Sequence, residues 1–150
     1  MIHMQKAEEI LAAVRADGRS GFALRAFAME QLSQLPSYQW SGIYRLDGDT
    51  LVLDAYVGAS TDHVRIPVGQ GVCGTAVAEN RNQVVEDVRE LTNYLSCSIH
   101  TRSEIVVLIR NGEKILGQID IDGHEVRAFD ASDEAFLSSL AELLAARWED

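Results

Sequence analysis

The chain of 150 residues is poor in several things, and each shortage excludes something. Its two cysteines are too few for the disulfide framework of a small secreted domain. Basic residues number 13 against 23 acidic ones, a formal charge of −10. That balance argues against nucleic acid and anionic membrane as partners, since both call for a basic surface. No stretch reaches the membrane-span length of about 18 apolar residues. The opening Met1-Ile2-His3-Met4-Gln5-Lys6-Ala7-Glu8-Glu9 lacks the apolar core of a signal peptide, so a reducing cytoplasm is the expected location. Of the two prolines, Pro36 closes a helical pattern and Pro67 interrupts a short extended one. Repeats, low-complexity segments and linkers are missing too, and residues 1–150 read as one domain with a proper core.

What is present divides cleanly by period. Residues 4–16 carry Ile10, Leu11 and Val14 on one helical stripe, ended by Asp17-Gly18. Residues 21–35 repeat the pattern with Phe22, Leu24, Phe27, Ala28, Leu32 and Leu35. From Tyr38 the period becomes extended. Strands are predicted over 38–46 and 51–57 around an Asp47-Gly48-Asp49 turn, with a short edge strand over 64–68. Gly69-Gln70-Gly71 introduces a short helix over 72–79, and a brief strand follows over 83–85. Phe129, Asp130 and Asp133 mark the start of a last helix that turns Phe136, Leu140, Leu143 and Leu144 inward. The order implies an α+β fold, an antiparallel sheet backed by helices.

The richest stretch is a hairpin. Ser103 to Ile109 and Ile115 to Asp122 are aliphatic runs separated by Asn111-Gly112. Acids stand at the ends that should meet: Glu104 on the first strand, Asp120 and Asp122 on the second. Asp120 and Asp122 share a face with Leu116 and Gln118, while Ile115, Gly117, Ile119 and Ile121 point the other way. A two-residue turn at Asn111-Gly112 pairs Glu104 with Ile119 and separates it from the aspartates. A three-residue loop pairs it with Asp120 and gathers all three carboxylates. The sequence leaves both registers open.

Each candidate has a bland reading beside a chemical one. Alternating Asp in a strand suits a cation or polar-ligand site, or else a solvated strand end. Crowded carboxylates raise at least one pKa and keep a proton for general acid chemistry. Cys97 is either a small packing residue or a reactive thiol in a polar loop. Cys73, in the first turn of a predicted helix, is open to the same choice. Trp40, Gly42 and Tyr44 share one strand face, as ordinary core or as an aromatic wall with a gap for a ligand. His63, His100 and His124 stand at no recognised ligand spacing, and no metal is expected.

Taken together these residues resemble a family. Trp40, Gly42 and Tyr44, the run Arg65-Ile66-Pro67 with Gly69 and Gly71-Val72-Cys73-Gly74-Thr75-Ala76, then Cys97, Ser103-Glu104-Ile105-Val106 and Gly117 with Asp120-Ile121-Asp122 are similar to the free methionine-(R)-sulfoxide reductases. The resemblance covers nearly the whole chain, in order. It implies a GAF domain, a central antiparallel sheet flanked by helices, and a homodimer. It implies Cys97 as catalytic nucleophile and Cys73 as the thiol that closes a disulfide with it. Glu104, Asp120 and Asp122 become the acids that hold and protonate the substrate, and Trp40 and Tyr44 the wall around its methyl-sulfur end. No cofactor is bound; an external thiol such as thioredoxin restores the enzyme. Two departures stand out. His63 occupies the place of a third family cysteine, and Ser98 follows Cys97 where the family has Asp. They keep a second reading in view: a GAF module that binds a small molecule without turning it over.

Overall fold

In the computed structural model, which describes residues 2–94 and 99–149, the helical stripes and alternating strands become one sheet with helices on both sides. Helix α1 (Met4–Ala16) buries Ala7, Ile10, Leu11 and Val14. Helix α2 (Gly21–Leu32) ends three residues earlier than its apolar pattern, and the Leu35 amide closes a turn on Leu32 before Pro36. Its buried stripe runs through Leu24, Arg25, Ala28, Met29 and Leu32. Phe22, expected inward, lies off that stripe and is exposed. Arg25 can be inside because Asp54 neutralises it at 2.7 Å and the Trp148 ring covers its guanidinium.

Six strands follow: β1 (Trp40–Asp47), β2 (Thr50–Val57), β3 (Arg65–Pro67), β4 (Gln83–Val85), β5 (Ser103–Asn111) and β6 (Lys114–Gly123). They form an antiparallel sheet in the order β3-β2-β1-β6-β5-β4, with the Pro67 strand on an edge as its missing N–H demands. Helix α3 (Gly71–Glu79) lies between β3 and β4 in the chain, and α4 (Ala131–Ala146) ends the fold. Asp130 and Asp133 cap α4 reciprocally. This is the α+β architecture that the order of periods implied.

Two cores result, one on each face of the sheet. Ile43, Ile105, Val107, Ile109, Ile119 and Ile121 meet the buried stripes of α1, α2 and α4. Trp40, Tyr44, Val106 and Leu108 meet Val72, Cys73 and Ala76 of α3 on the other side. Each Ile, Leu or Val side chain buried in this way contributes about 1.5–3 kcal/mol of transfer free energy.

The hairpin takes neither register read from the sequence. Its loop is Gly112-Glu113, with Asn111 opposite Lys114 and Gly112 at φ 63°. A bulge then inserts Leu116, because Arg110 pairs with Ile115 while Ile109 pairs with Gly117. Glu104 therefore faces Asp122, two residues beyond the partner that a three-residue loop would give it. Two one-residue slips restore the face that one slip would reverse. The bulge also corrects two placements: Leu116 packs against the helix-side core, and Ile115 against the core of α3.

Candidate active site

The register carries the site. Asp122 stands between Trp40 on β1 and Glu104 on β5, and Asp120 stands between Gly42 and Val106. Directly paired residues on antiparallel strands share a face, so the three carboxylates lie together on the α3 side. All are buried, at 3% exposure for Glu104 and 1% for each aspartate. The reading as a solvated strand end is thereby excluded for these acids.

Helix α3 brings Cys73 to them. The first turn of α3 places its sulfur 3.9 Å from Glu104 Oε2, and donor atoms of Cys73, Glu104 and Asp120 lie within 4.8 Å of one another. That donor set is close enough to share a cation, which histidine spacing gave no hint of. Burial pushes the Asp120 carboxyl above the ordinary carboxylate range, and hydrogen bonds with Glu104 and Cys73 pull it back in part. Asp120 Oδ1 has no hydrogen-bond partner among the described residues. A buried acceptor in that condition costs stability, and a ligand donor would relieve it.

A cavity of about 10 Å³, room for one water, is lined by Tyr44, His63, Cys73, Glu104 and Asp120 among others. A far larger one, about 490 Å³, lies around Arg25, Arg45, Asp54 and Trp148. There Asp54 pairs both arginines, whereas the small cavity is the one lined by Cys73, Glu104 and Asp120.

The aromatic residues also converge on this face. Trp40 stacks between Tyr44 and Tyr56 at centroid distances of 6.4 and 5.7 Å, and its indole N–H donates to the Ala59 carbonyl. The gap at Gly42 is filled by the Trp40 ring itself; a Cβ there would fall 2.3 Å from Trp40 Cη2. The Tyr44 hydroxyl donates to the His63 carbonyl at 2.7 Å, which holds the residue at the missing third cysteine position against the cavity. Cys97 and Ser98 lie outside the described residues. One buried polar residue, Gln118, escaped the sequence reading as a site residue, although an amide two positions before Asp120 in an aliphatic strand was the signal.

The chain is similar to known proteins over most of its length. Residues 24–149 match the family model described as GAF domain. The chain is 42% identical over 107 residues to the free methionine-R-sulfoxide reductase of Escherichia coli, covering 71% of this chain and 64% of that protein. The match therefore spans a little under two thirds of that relative. Among solved structures, the type II free methionine-R-sulfoxide reductase of Thermoplasma acidophilum is 38% identical with a TM-score of 0.81, covering 93% of this chain and 94% of that one. The Neisseria meningitidis free methionine-R-sulfoxide reductase in complex with its substrate superposes with a TM-score of 0.88 at 32% identity, covering 97% and 87%.

Proposed function

The chain belongs to the free methionine-(R)-sulfoxide reductase family of GAF domains, and from that premise we propose that it reduces free methionine-(R)-sulfoxide to methionine. The observation that carries the reading is the convergence of Glu104, Asp120, Asp122 and Cys73 in one buried cluster on one sheet face.

The chemistry assigns each group a task. The Cys97 thiolate attacks the sulfoxide sulfur, and the oxygen needs a proton as the S–O bond weakens. Asp120, whose carboxyl burial holds toward its protonated form, is placed to give it. Glu104 and Asp122 grip the substrate ammonium through charge-assisted hydrogen bonds. Trp40 and Tyr44 offer the apolar surface for the methyl-sulfur end. The oxygen passes from the substrate sulfur to the Cys97 sulfur as the bond between the two sulfurs breaks, so methionine leaves and Cys97 is left as a sulfenic acid. Cys73 then displaces that oxygen as water and forms a disulfide, which an external dithiol of the thioredoxin class reopens. Because the cavity holds about one water, side chains around it must part to admit an amino acid. The working form is a homodimer in the cytoplasm, without nucleic acid or membrane as partner.

The experiment is methionine release from the separate R and S epimers of free methionine sulfoxide, with dithiothreitol as reductant. Release from the R epimer alone, lost in Cys97→Ser with the fold intact, is the expected result. His63 and Ser98, at positions where the family has Cys and Asp, favour a second reading: a binding module without turnover. Substrate binding with no release from either epimer would select it.

A further inference from the structure

Gln118 is the one fully buried amide on the site face of β6, and its surroundings do not explain it as packing. It pairs with Tyr44 on β1 and with Leu108 on β5, and it is 0% exposed. In that setting an aliphatic residue would bury its surface without desolvating an amide. Gln118 recovers part of the cost through a 3.0 Å hydrogen bond from Nε2 to the Cys73 carbonyl. Its Oε1 has no hydrogen-bond partner among the described residues. A half-satisfied buried amide is a net cost, or close to one, in a strand that Leu or Val would fill.

The bond it does make falls at a decisive place. Cys73 sits in the first turn of α3, and its carbonyl accepts from Gln118 while its sulfur lies 3.9 Å from Glu104 Oε2. Carbonyl and thiol hang from the same Cα, so a tether on one sets where the other starts. Asn93 also ties the start of this helix. Asn93 accepts from the Gly71 amide at 3.2 Å and donates to the Gly69 carbonyl at 3.3 Å. Gln118 ties the Cys73 backbone to the sheet, from the strand that also carries Asp120 and Asp122.

We infer that Gln118 is a positioning residue, whose amide pins the first turn of α3 so that the Cys73 thiol is held at the acid cluster for the second half of the reaction. The inference rests on the assignment of Cys73 as the thiol that closes the disulfide. In that step the Cys73 sulfur loses its proton and bonds to Cys97 sulfur. The Cys97 S–O bond breaks, and the oxygen departs with two protons as water, so no outside oxidant or reductant enters. A displaced Cys73 slows this step more than it slows sulfoxide reduction.

The test uses the whole chain with Gln118→Met, which keeps the volume and removes the donor. One equivalent of methionine sulfoxide is mixed with reduced protein without external thiol. Methionine release and loss of the two thiols are followed in the same sample. Expected is disulfide closure about fivefold slower, the kinetic scale of one buried hydrogen bond, with methionine release slowed less. Closure at the parental rate, or equal slowing of both steps, overturns the inference.

A second measurement does not depend on turnover. In a Cys97→Ser background Cys73 is the only thiol, and its alkylation by iodoacetamide reads how firmly it is held. Gln118→Met should raise that rate severalfold, whereas an unchanged rate overturns the inference even if the protein proves to be no reductase. Gln118→Glu, isosteric and a donor only while protonated, adds a pH signature. Its alkylation rate should match the parent at acid pH and climb toward that of Gln118→Met as pH rises, beyond the parent's own thiol titration. A pH profile parallel to the parent's would overturn the hydrogen-bonding role of Gln118.

Discussion

The two faces of the central sheet are made by alternate residues of the same strands, yet they obey different rules. On one face Ile43, Ile105, Ile119 and Ile121, all 0% exposed, close against α1, α2 and α4. On the other, Gly42, Glu104, Asp120 and Asp122 stand one position away along those strands, just as buried but polar or without a side chain. The period of two lets one strand pay an energetic penalty on one side while it is anchored on the other. A site that must keep carboxylates out of water needs a backbone that cannot yield. The aliphatic face supplies it.

That contrast can be broken where it is sharpest. Asp120→Asn should lower the reductase rate about 10²–10⁴-fold, the usual contribution of a positioned general acid. Stability should not fall with it. Burial raises the Asp120 carboxyl pKa in the folded state, so its contribution to stability is present below the unfolded value and lost as pH rises above it. At neutral pH the asparagine variant should therefore match or exceed the parent in urea, with the difference shrinking as pH falls through the carboxylate range. A large loss of stability in Asp120→Asn would mean that the acids hold the fold together. The mirror experiment is Ile119→Ala, one residue earlier in the strand. It should cost about 2–5 kcal/mol by denaturant titration, with little change in activity per folded molecule. Activity lost in proportion to stability would show that the two faces are not separable.

The sequence made the alternation visible and left its phase open. Ile119 and Ile121 against Asp120 and Asp122 could be assigned to opposite faces from spacing alone, and so could the helical stripes of α1 and α4. Which face Glu104 would join could not be read, because it depends on the loop and on a bulge. The Leu116 bulge leaves no mark in composition: Ile115 and Leu116 are equally apolar, and the sheet chooses which of them is extra. Likewise Trp40 and Gly42 predicted an aromatic surface with a gap, but only three-dimensional packing reveals that the indole fills its own gap. The meeting of Cys73 with Glu104 spans 31 residues and follows from α3 crossing the sheet. Local periodicity has no access to that distance.

The smallest of these effects tests whether polarity or satisfaction separates the faces. Tyr38 and Asp133 are polar groups buried on the helix side, at 4% and 1% exposure, and there the hydroxyl donates to Asp133 Oδ1 at 2.7 Å. Asp133 Oδ2 also accepts from the Asp130 amide at the start of α4, so both carboxylate oxygens are used. Burial, followed by the Asp133 bond, drives the Tyr38 phenol well above its ordinary pKa. A raised pKa in the folded state gives stability that is complete below the unfolded value near 10 and declines as pH climbs beyond it. Tyr38→Phe should therefore cost about 1 kcal/mol at neutral pH, the net worth of one such bond plus the acceptor left behind. It should also remove part of the alkaline slope of stability, measured by urea titration between neutral and strongly alkaline pH. The comparison with Asp120 lies in the sign: removing a buried polar group weakens the helix side, where its partner is present, and does not weaken the site side, where Asp120 Oδ1 has none among the described residues. If Tyr38→Phe were neutral and its alkaline slope unchanged, satisfaction would not be what distinguishes the two faces, and the unpartnered Asp120 oxygen would lose its meaning as a mark of the ligand site.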